Sequence, residues 1–351
     1  MKKLIANIPF CSNRHYDCVY VVLDSLLRFY QYEPALPCFH NWDFIYRPDE
    51  GEEFDIQGRA IPLPNMLKAF AITPFIGSTN DQKKAWREVK NLIDTNIPVA
   101  VSIDVFSLAQ AGLYPRLRHS DHQNILSGYD EQADTVHLVD PSPWQPSARD
   151  IPLDLFFSCW DISAIPRKAQ DRYNWAWLQV PAQRPPFHSA HAYTILQDNL
   201  NSMSVSSDQA HLVSGLEGIE RLAEDTAAWA QYENQFLQER LKQCAQLLLE
   251  IAMLREGYGC FLGHVSQVCN FPGLATLSRE FESIAQSWFV VKNLCFKGTV
   301  KKATDVVPRI QSRLYAIAAK ERMALATLAE MTDALGDRLG RSPSYGSVTL
   351  A

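Results

Sequence analysis

Residues 119–141 read HSDHQNILSGYDEQADTVHLVDP, and this stretch decides the fold predicted for the first half of the chain. Two short apolar runs, one around Ile125 and one around Leu138, are separated by polar residues. This pattern is typical of a β-hairpin. His122 stands at the start of the first predicted strand and Asp140 at the end of the second, and these positions are neighbours in an antiparallel pair. We therefore expect an imidazole beside a carboxylate at one end of the hairpin.

An imidazole paired with a carboxylate is half of a nucleophilic triad. The carboxylate fixes the tautomer of the ring and stabilises the imidazolium that forms during proton transfer. His119 is the rival base, but His122 directly precedes the apolar run and fits the strand better. His122 and Asp140 are therefore the predicted base and its orienting acid.

The candidate nucleophile is Cys18, which precedes a run of apolar residues at helical spacing: Val19, Val22, Leu23, Leu26, Leu27 and Tyr30. A cysteine at a helix N-terminus meets backbone N–H groups and the positive end of the helix dipole, which favour the reactive thiolate. A lone cysteine on an apolar helix is more often a small buried hydrophobe. Polar residues before Cys18 favour the catalytic interpretation. Cys11 is the rival nucleophile, and no periodic helix begins after it.

The order of these residues resembles a known family of cysteine enzymes. The chain is similar to papain-like enzymes related to the C39 peptidases, and more narrowly to the BtrH-like family, the N-terminal domain of butirosin biosynthesis protein H. The resemblance covers residues 1–165 and rests on several strings: HYDC ending at Cys18, LLRFY ending at Tyr30, PVAVSID ending at Asp104, the stretch from His122 to Asp130, and VDP ending at Pro141.

The resemblance implies a papain-like α+β fold with an antiparallel sheet, followed by an all-α domain. It also implies a catalytic triad of Cys18, His122 and Asp140. Papain-like enzymes place an amide side chain upstream of the nucleophile, where it completes an oxyanion hole with the cysteine N–H. Asn13 is the candidate for this donor, in place of the usual glutamine, with Asn7 second; the alternative is that Asn13 only caps a turn.

The chemistry expected of such a site is acyl transfer. The BtrH-like resemblance implies transfer from a carrier-protein thioester to an amine, small-molecule or peptidyl, in natural-product biosynthesis. Hydrolysis by a peptidase or thioesterase is the first alternative, and a non-catalytic binding protein of the same fold is the second. No cofactor is expected beyond the phosphopantetheine of an acyl- or peptidyl-carrier protein. The candidates for binding its phosphate are Tyr114, Arg116 and Arg118, although a charged loop is often only solvated.

Composition excludes several other classes. The chain has 351 residues, 47% hydrophobic and 21% charged, with a net charge of −6, which argues against nucleic-acid binding. The eight cysteines show no CxxC pair, so neither a zinc site nor a disulfide framework is indicated. His188 and His191 lack further ligands nearby in the sequence, and no metal site is predicted. The absence of a signal peptide or long apolar run predicts a cytoplasmic protein without membrane contact.

The predicted domains are a catalytic domain at 1–165, a linker and crossover segment at 166–205, a helical bundle at 206–340 and a frayed tail at 341–351. The segment 31–61 is rich in proline, aromatic and acidic residues and is expected to shape a cleft or to hold short elements. Residues 257–261, GYGCF, are expected to interrupt the helices of the bundle. A homodimer is left open.

Overall fold

A computed structural model describes residues 1–48, 54–110, 119–165, 171–204, 212–300 and 305–340. Two compact units are formed, the first by residues 1–34 and 67–184 and the second by residues 35–66 and 185–351. The strands are β1 (Lys2–Leu4), β2 (Ile45–Arg47), β3 (Asp55–Gln57), β4 (Thr73–Thr79), β5 (Val99–Asp104), β6 (Asp121–Asp130), β7 (Thr135–Asp140), β8 (Ser147–Pro152), β9 (Tyr173–Gln179) and β10 (Val213–Ser214). The α-helices are α1 (Cys18–Phe29), α2 (Ala35–Phe39), α3 (Leu63–Ala69), α4 (Gln82–Asp94), α5 (Val105–Gln110), α6 (Leu153–Trp160), α7 (Ser189–Ser204), α8 (Gly215–Ala228), α9 (Asn234–Val268), α10 (Gly273–Gly298) and α11 (Val307–Arg338).

The first unit is built on a seven-stranded sheet in which all the pairs are antiparallel. Its order is β4-β9-β5-β6-β7-β8, and β1 pairs with the far end of β6. The predicted hairpin is present as β6 and β7, with Ile125 opposite Val139. The sheet therefore brings the start of β6 and the end of β7 to the same place.

A continuous apolar core covers one side of this sheet. Alternate residues of the strands point into it, as the two-residue period of a strand requires. Val101 and Ile103 of β5 meet Val89 of α4 and Trp160 of α6, all fully buried. The apolar spacing that predicted α4 in the sequence thus reflects the face that this helix buries.

The second unit consists mainly of helices α7 to α11, with a small antiparallel sheet in the order β10-β2-β3. The mixed α/β architecture with an antiparallel sheet and a helical C-terminal region confirms that part of the predicted fold class. Arg255 of α9 and Glu321 of α11 form a fully buried ion pair. The indole N–H groups of Trp42 and Trp288 also donate to Glu321, so a single carboxylate joins four segments of the unit.

The division between the units differs from the predicted domains. Residues 35–66 pack in the second unit, and the first unit continues to residue 184. The predicted linker at 166–205 contains β9, which lies between β4 and β5 in the sheet, and all of α7. Residues 341–351 lie outside the described residues.

The expected break at 257–261 is wrong, because α9 runs through it from Asn234 to Val268. The two glycines serve close packing. A Cβ on Gly257 would lie 2.2 Å from the ring of Phe39, and one on Gly259 would lie 3.0 Å from the carbonyl oxygen of Ser278. Glycine is needed at 257 because Phe39 occupies the space of its missing side chain.

Within the described ranges, no helix is both long enough and apolar enough to cross a lipid bilayer.

Candidate active site

Cys18 is the first residue of α1 and is half-buried. Asp17 caps the helix, since its Oδ1 accepts hydrogen bonds of 2.9 Å from the N–H groups of Val19 and Tyr20. These two donors are therefore unavailable to a Cys18 thiolate. The N–H of Cys18 itself has no acceptor among the residues described, and it can donate to an oxyanion that forms at the thiol.

His122 and Asp140 are in contact, with 3.1 Å between His122 Nε2 and Asp140 Oδ2. Both side chains are largely buried. The other carboxylate oxygen, Oδ1, accepts the N–H of Ser142 at 3.0 Å. Both oxygens of Asp140 are therefore held, and one of them orients the imidazole. Because Nε2 faces Asp140, Nδ1 is the ring nitrogen left for another partner.

The thiol of Cys18 is close enough to His122 to interact with the imidazole and to raise its pKa. Burial by itself lowers the pKa of His122, whereas the hydrogen bonds to Asp140 and Cys18 and the negative charge of Asp140 raise it. The raising effects are larger, and the pKa of His122 is about 9. The structure thus brings the predicted nucleophile, base and acid together in the order that proton transfer requires, and their catalytic roles stay a prediction.

The rival nucleophile and the rival base lie in other surroundings. Cys11 is buried, and this burial together with the negative charge of Asp24 raises the pKa of its thiol to about 12. His119 has an aspartate of its own, with 2.6 Å between its Nδ1 and Oδ2 of the buried Asp104. His119 and Asp104 therefore form a second histidine–aspartate pair. His122 differs from His119 because Cys18 interacts with the His122 ring.

The predicted oxyanion donor, Asn13, takes part in a turn. Its Oδ1 accepts the N–H of His15 at 2.8 Å, the turn-capping arrangement considered from the sequence. Donation from its Nδ2 to an oxyanion remains a prediction. The phosphate-binding candidates Tyr114, Arg116 and Arg118 lie outside the described residues.

Two loops that carry catalytic candidates are tied together, a feature that the sequence reasoning missed. The N–H of Cys11 donates to the carbonyl oxygen of Pro141 at 3.1 Å. The indole N–H of Trp144 donates to the carbonyl oxygen of Arg14 at 3.1 Å. The loop before Cys18 is thereby held against the loop after Asp140. One signal was available in the sequence. Trp144 stands in a proline-rich loop four residues after Asp140, where a large apolar side chain is not needed for a core.

A small hollow lies on another side of Asp140. Its volume is about 20 Å³, room for about one water molecule, and its lining includes Asn124, Leu138 and Arg149. A substrate group does not fit there.

The first unit is thus a mixed α/β domain in which a cysteine at a helix start meets a histidine and an aspartate of one hairpin. Residues 17–141 match the family model described as butirosin biosynthesis protein H, N-terminal, which confirms the resemblance inferred from the sequence. The match runs from the residue before Cys18 to the residue after Asp140. Residues 165–328 match a second model, described as Domain of unknown function (DUF4872). No curated protein matches the chain.

Proposed function

We propose that this protein is a cysteine acyltransferase that moves an acyl group from a carrier-protein thioester to an amine through an acyl-enzyme on Cys18. The family implies a biosynthesis-related, acyltransferase-like function. The observation that carries the proposal is the surroundings of His122: its Nε2 is 3.1 Å from Oδ2 of Asp140, and its interaction with Cys18 raises its pKa. A papain-like relationship of the catalytic unit is part of the same proposal.

In the first half-reaction the Cys18 thiolate attacks the thioester carbonyl, and the N–H of Cys18 stabilises the oxyanion. The bond between the carbonyl carbon and the donor sulfur breaks. The departing thiol takes the proton of the His122 imidazolium, which leaves His122 neutral. The acyl group is then held as a thioester on Cys18.

In the second half-reaction the amine attacks this thioester and gives a proton to His122. The bond to the Cys18 sulfur breaks, the thiolate returns beside the imidazolium, and an amide is released. Asp140 keeps the ring of His122 oriented through both steps. If water takes the place of the amine, the same residues perform hydrolysis.

Mass spectrometry of the intact protein tests this mechanism. After incubation with an acyl-carrier thioester, we expect one acyl adduct on Cys18, absent in Cys18→Ala and retained in Cys260→Ala, which removes an exposed cysteine of the second unit. Addition of an amine should discharge the adduct as an amide. Discharge by water alone, at a rate that amines do not increase, indicates a hydrolase. No adduct in the wild type contradicts the proposal and favours a binding protein.

A further inference from the structure

The loops before Cys18 and after Asp140 carry an arginine and a tryptophan that the triad does not use. Trp144 is 70% exposed, although it is among the largest apolar side chains. Its orientation is fixed, because the indole N–H is bonded to the carbonyl oxygen of Arg14. The guanidinium of Arg14 lies over the same ring, 5.5 Å from its centre. An exposed tryptophan held in this way offers a flat apolar face to a ligand.

Arg14 differs from several other arginines of the first unit. Arg28 pairs with Asp24, and Arg172 pairs with Asp161. Within the described part of the chain, Arg14 has no carboxylate partner. The nearest carboxylate that follows it in the sequence, Asp17, accepts N–H groups of α1. The donors of the Arg14 guanidinium are therefore available to an external anion, and the planar arrangement of these donors suits phosphate.

The position of this pair relative to the site limits the ligand. Arg14 is four residues before Cys18, so their Cα atoms are at most about 14 Å apart. Trp144 is four residues after Asp140 and is tied to the backbone of Arg14. A ligand that holds a thioester carbonyl at the sulfur of Cys18 and an anionic group at the guanidinium of Arg14 has to span the distance between these two residues. The arm of phosphopantetheine is a chain with a thioester at one end and a phosphate at the other.

We infer that Arg14 and Trp144 form the entrance for a phosphate-bearing thioester, with the phosphate on Arg14 and the arm along the face of Trp144. The inference rests on the proposed function and identifies donor-binding residues for the same site. Unlike the candidates at 114–118, both residues lie in the described part of the chain. Arg14 and Trp144 are binding residues, because neither is in contact with the reacting sulfur.

Two soluble donors that differ only in the phosphate test the inference, acyl-phosphopantetheine and acyl-pantetheine. The readout is the rate of Cys18 acylation, at donor concentrations below saturation. A charge-assisted hydrogen bond to phosphate contributes enough free energy for wild type to prefer the phosphorylated donor roughly tenfold. In Arg14→Gln this ratio should fall towards one. Arg87→Gln, which removes an exposed arginine of α4, should keep the wild-type ratio. Added salt should reduce the ratio in wild type.

Substitutions of Trp144 separate its apolar face from its tie to Arg14. Trp144→Ala should slow acylation by both donors, and Trp144→Phe, which keeps a ring but loses the indole N–H, should restore most of the rate. If Trp144→Phe is as slow as Trp144→Ala, the residue acts through the tie, and its role as a platform is overturned.

The outcomes distinguish this inference from the proposed function. Acylation of Cys18 with no preference between the donors, or with equal losses for both in Arg14→Gln, overturns the inference and leaves the acyltransferase standing. Absence of acylation by either donor in wild type overturns both.

Discussion

At the scale of single residues, the charge on His122 connects structure to chemistry. The ordinary pKa of histidine is about 6.5, and that of His122 is raised to about 9. Its imidazolium is therefore stabilised by the fold near neutral pH. This proton is the one that the departing donor thiol needs in the first half-reaction. Because Asp17 already occupies the N–H groups of Val19 and Tyr20, these groups do not stabilise a thiolate of Cys18, whereas the imidazolium of His122 can do so.

The protonation of His122 can be measured by NMR titration of its ring. We expect a midpoint near pH 9 in wild type and a lower midpoint in Asp140→Asn, because the hydrogen bond and the charge of Asp140 both raise the pKa. Asp150→Asn is the matched control, since Asp150 pairs with His137 on the same sheet. A wild-type midpoint near the ordinary value would contradict the contact between the three side chains.

The same pKa sets the direction of the pH dependence. A pKa that is raised on folding contributes stability that is complete below about pH 6.5 and is lost as the pH rises through about 9. Acylation of Cys18 by a thioester should lose rate over the upper part of this window, because the imidazolium disappears. In Asp140→Asn this loss should begin at lower pH. The measurement is the acylation rate from pH 6 to 10, and an alkaline limb unmoved by Asp140→Asn would contradict the assignment of Asp140.

The sequence could predict the residues of the cluster because each has a local signal. Helical periodicity marked the start of α1 at Cys18, and the apolar runs marked one strand with His122 at its start and another with Asp140 at its end. Arg14 and Trp144 have no periodic signal that predicts their contact, since it joins loops 130 residues apart in the chain. The packing role of Gly257 could not be predicted either, because the Phe39 ring that it contacts is more than 200 residues away in the sequence.

At the scale of elements, α9 shows how packing overrides a local preference. Glycine in a helix costs about 1 kcal/mol relative to alanine, which is why an interruption was predicted at 257–261. The helix stays unbroken because its buried residues pack against the rest of the second unit. Its buried residues extend from Leu237 to Ser266, and Gly257 admits the ring of Phe39 between them.

A substitution of this glycine tests that explanation. Gly257→Ala should reduce the free energy of unfolding by roughly 1–3 kcal/mol, the cost of overfilling a packed core. Gly263→Ala is the control on the same helix, where the nearest atom, Ser278 Oγ, would be 3.2 Å from the new Cβ. There the better helix propensity of alanine should leave stability equal or slightly higher. Chemical denaturation measures both, and an equal effect of the two variants would contradict the packing role.

The ion pair between α9 and α11 is the second feature at this scale. Glu321 is fully buried, and its two oxygens accept from Arg255 at 3.0 and 3.1 Å and from the indoles of Trp42 and Trp288. Removing its charge leaves the Arg255 guanidinium buried without compensation. Glu321→Gln should therefore lower the free energy of unfolding by about 3–5 kcal/mol.

Two further variants sharpen this prediction. Glu330→Gln, at an exposed position on α11, should change the free energy of unfolding by less than about 0.5 kcal/mol. Adding Arg255→Met to Glu321→Gln removes the uncompensated charge and should recover part of the loss. A Glu321→Gln variant as stable as the Glu330→Gln variant would show that the pair does not hold the helices together.

At the scale of the whole molecule, the arrangement of segments was the least predictable property. Local patterns identify strands and helices, but they do not say which unit a segment packs in. Residues 35–66 lie early in the chain and pack in the second unit, whereas β9 follows the predicted end of the catalytic domain and completes its sheet. The proline-rich and arginine-rich flanks of β9 concealed its alternation of aromatic residues, Tyr173, Trp175 and Trp177.

The place of β9 within the sheet can be tested in the full chain. Ala176 is paired on both sides, with Ile76 of β4 and with Ala100 of β5. Ala176→Pro removes an N–H and distorts both ladders, and it should lower the free energy of unfolding by roughly 3 kcal/mol. Ala182→Pro, in the exposed proline-rich loop after β9, should be nearly neutral. Chemical denaturation measures the free energy of unfolding of both variants. If Ala176→Pro is as mild as Ala182→Pro, residue 176 belongs to a linker, as first predicted for 166–205, and not to a central strand.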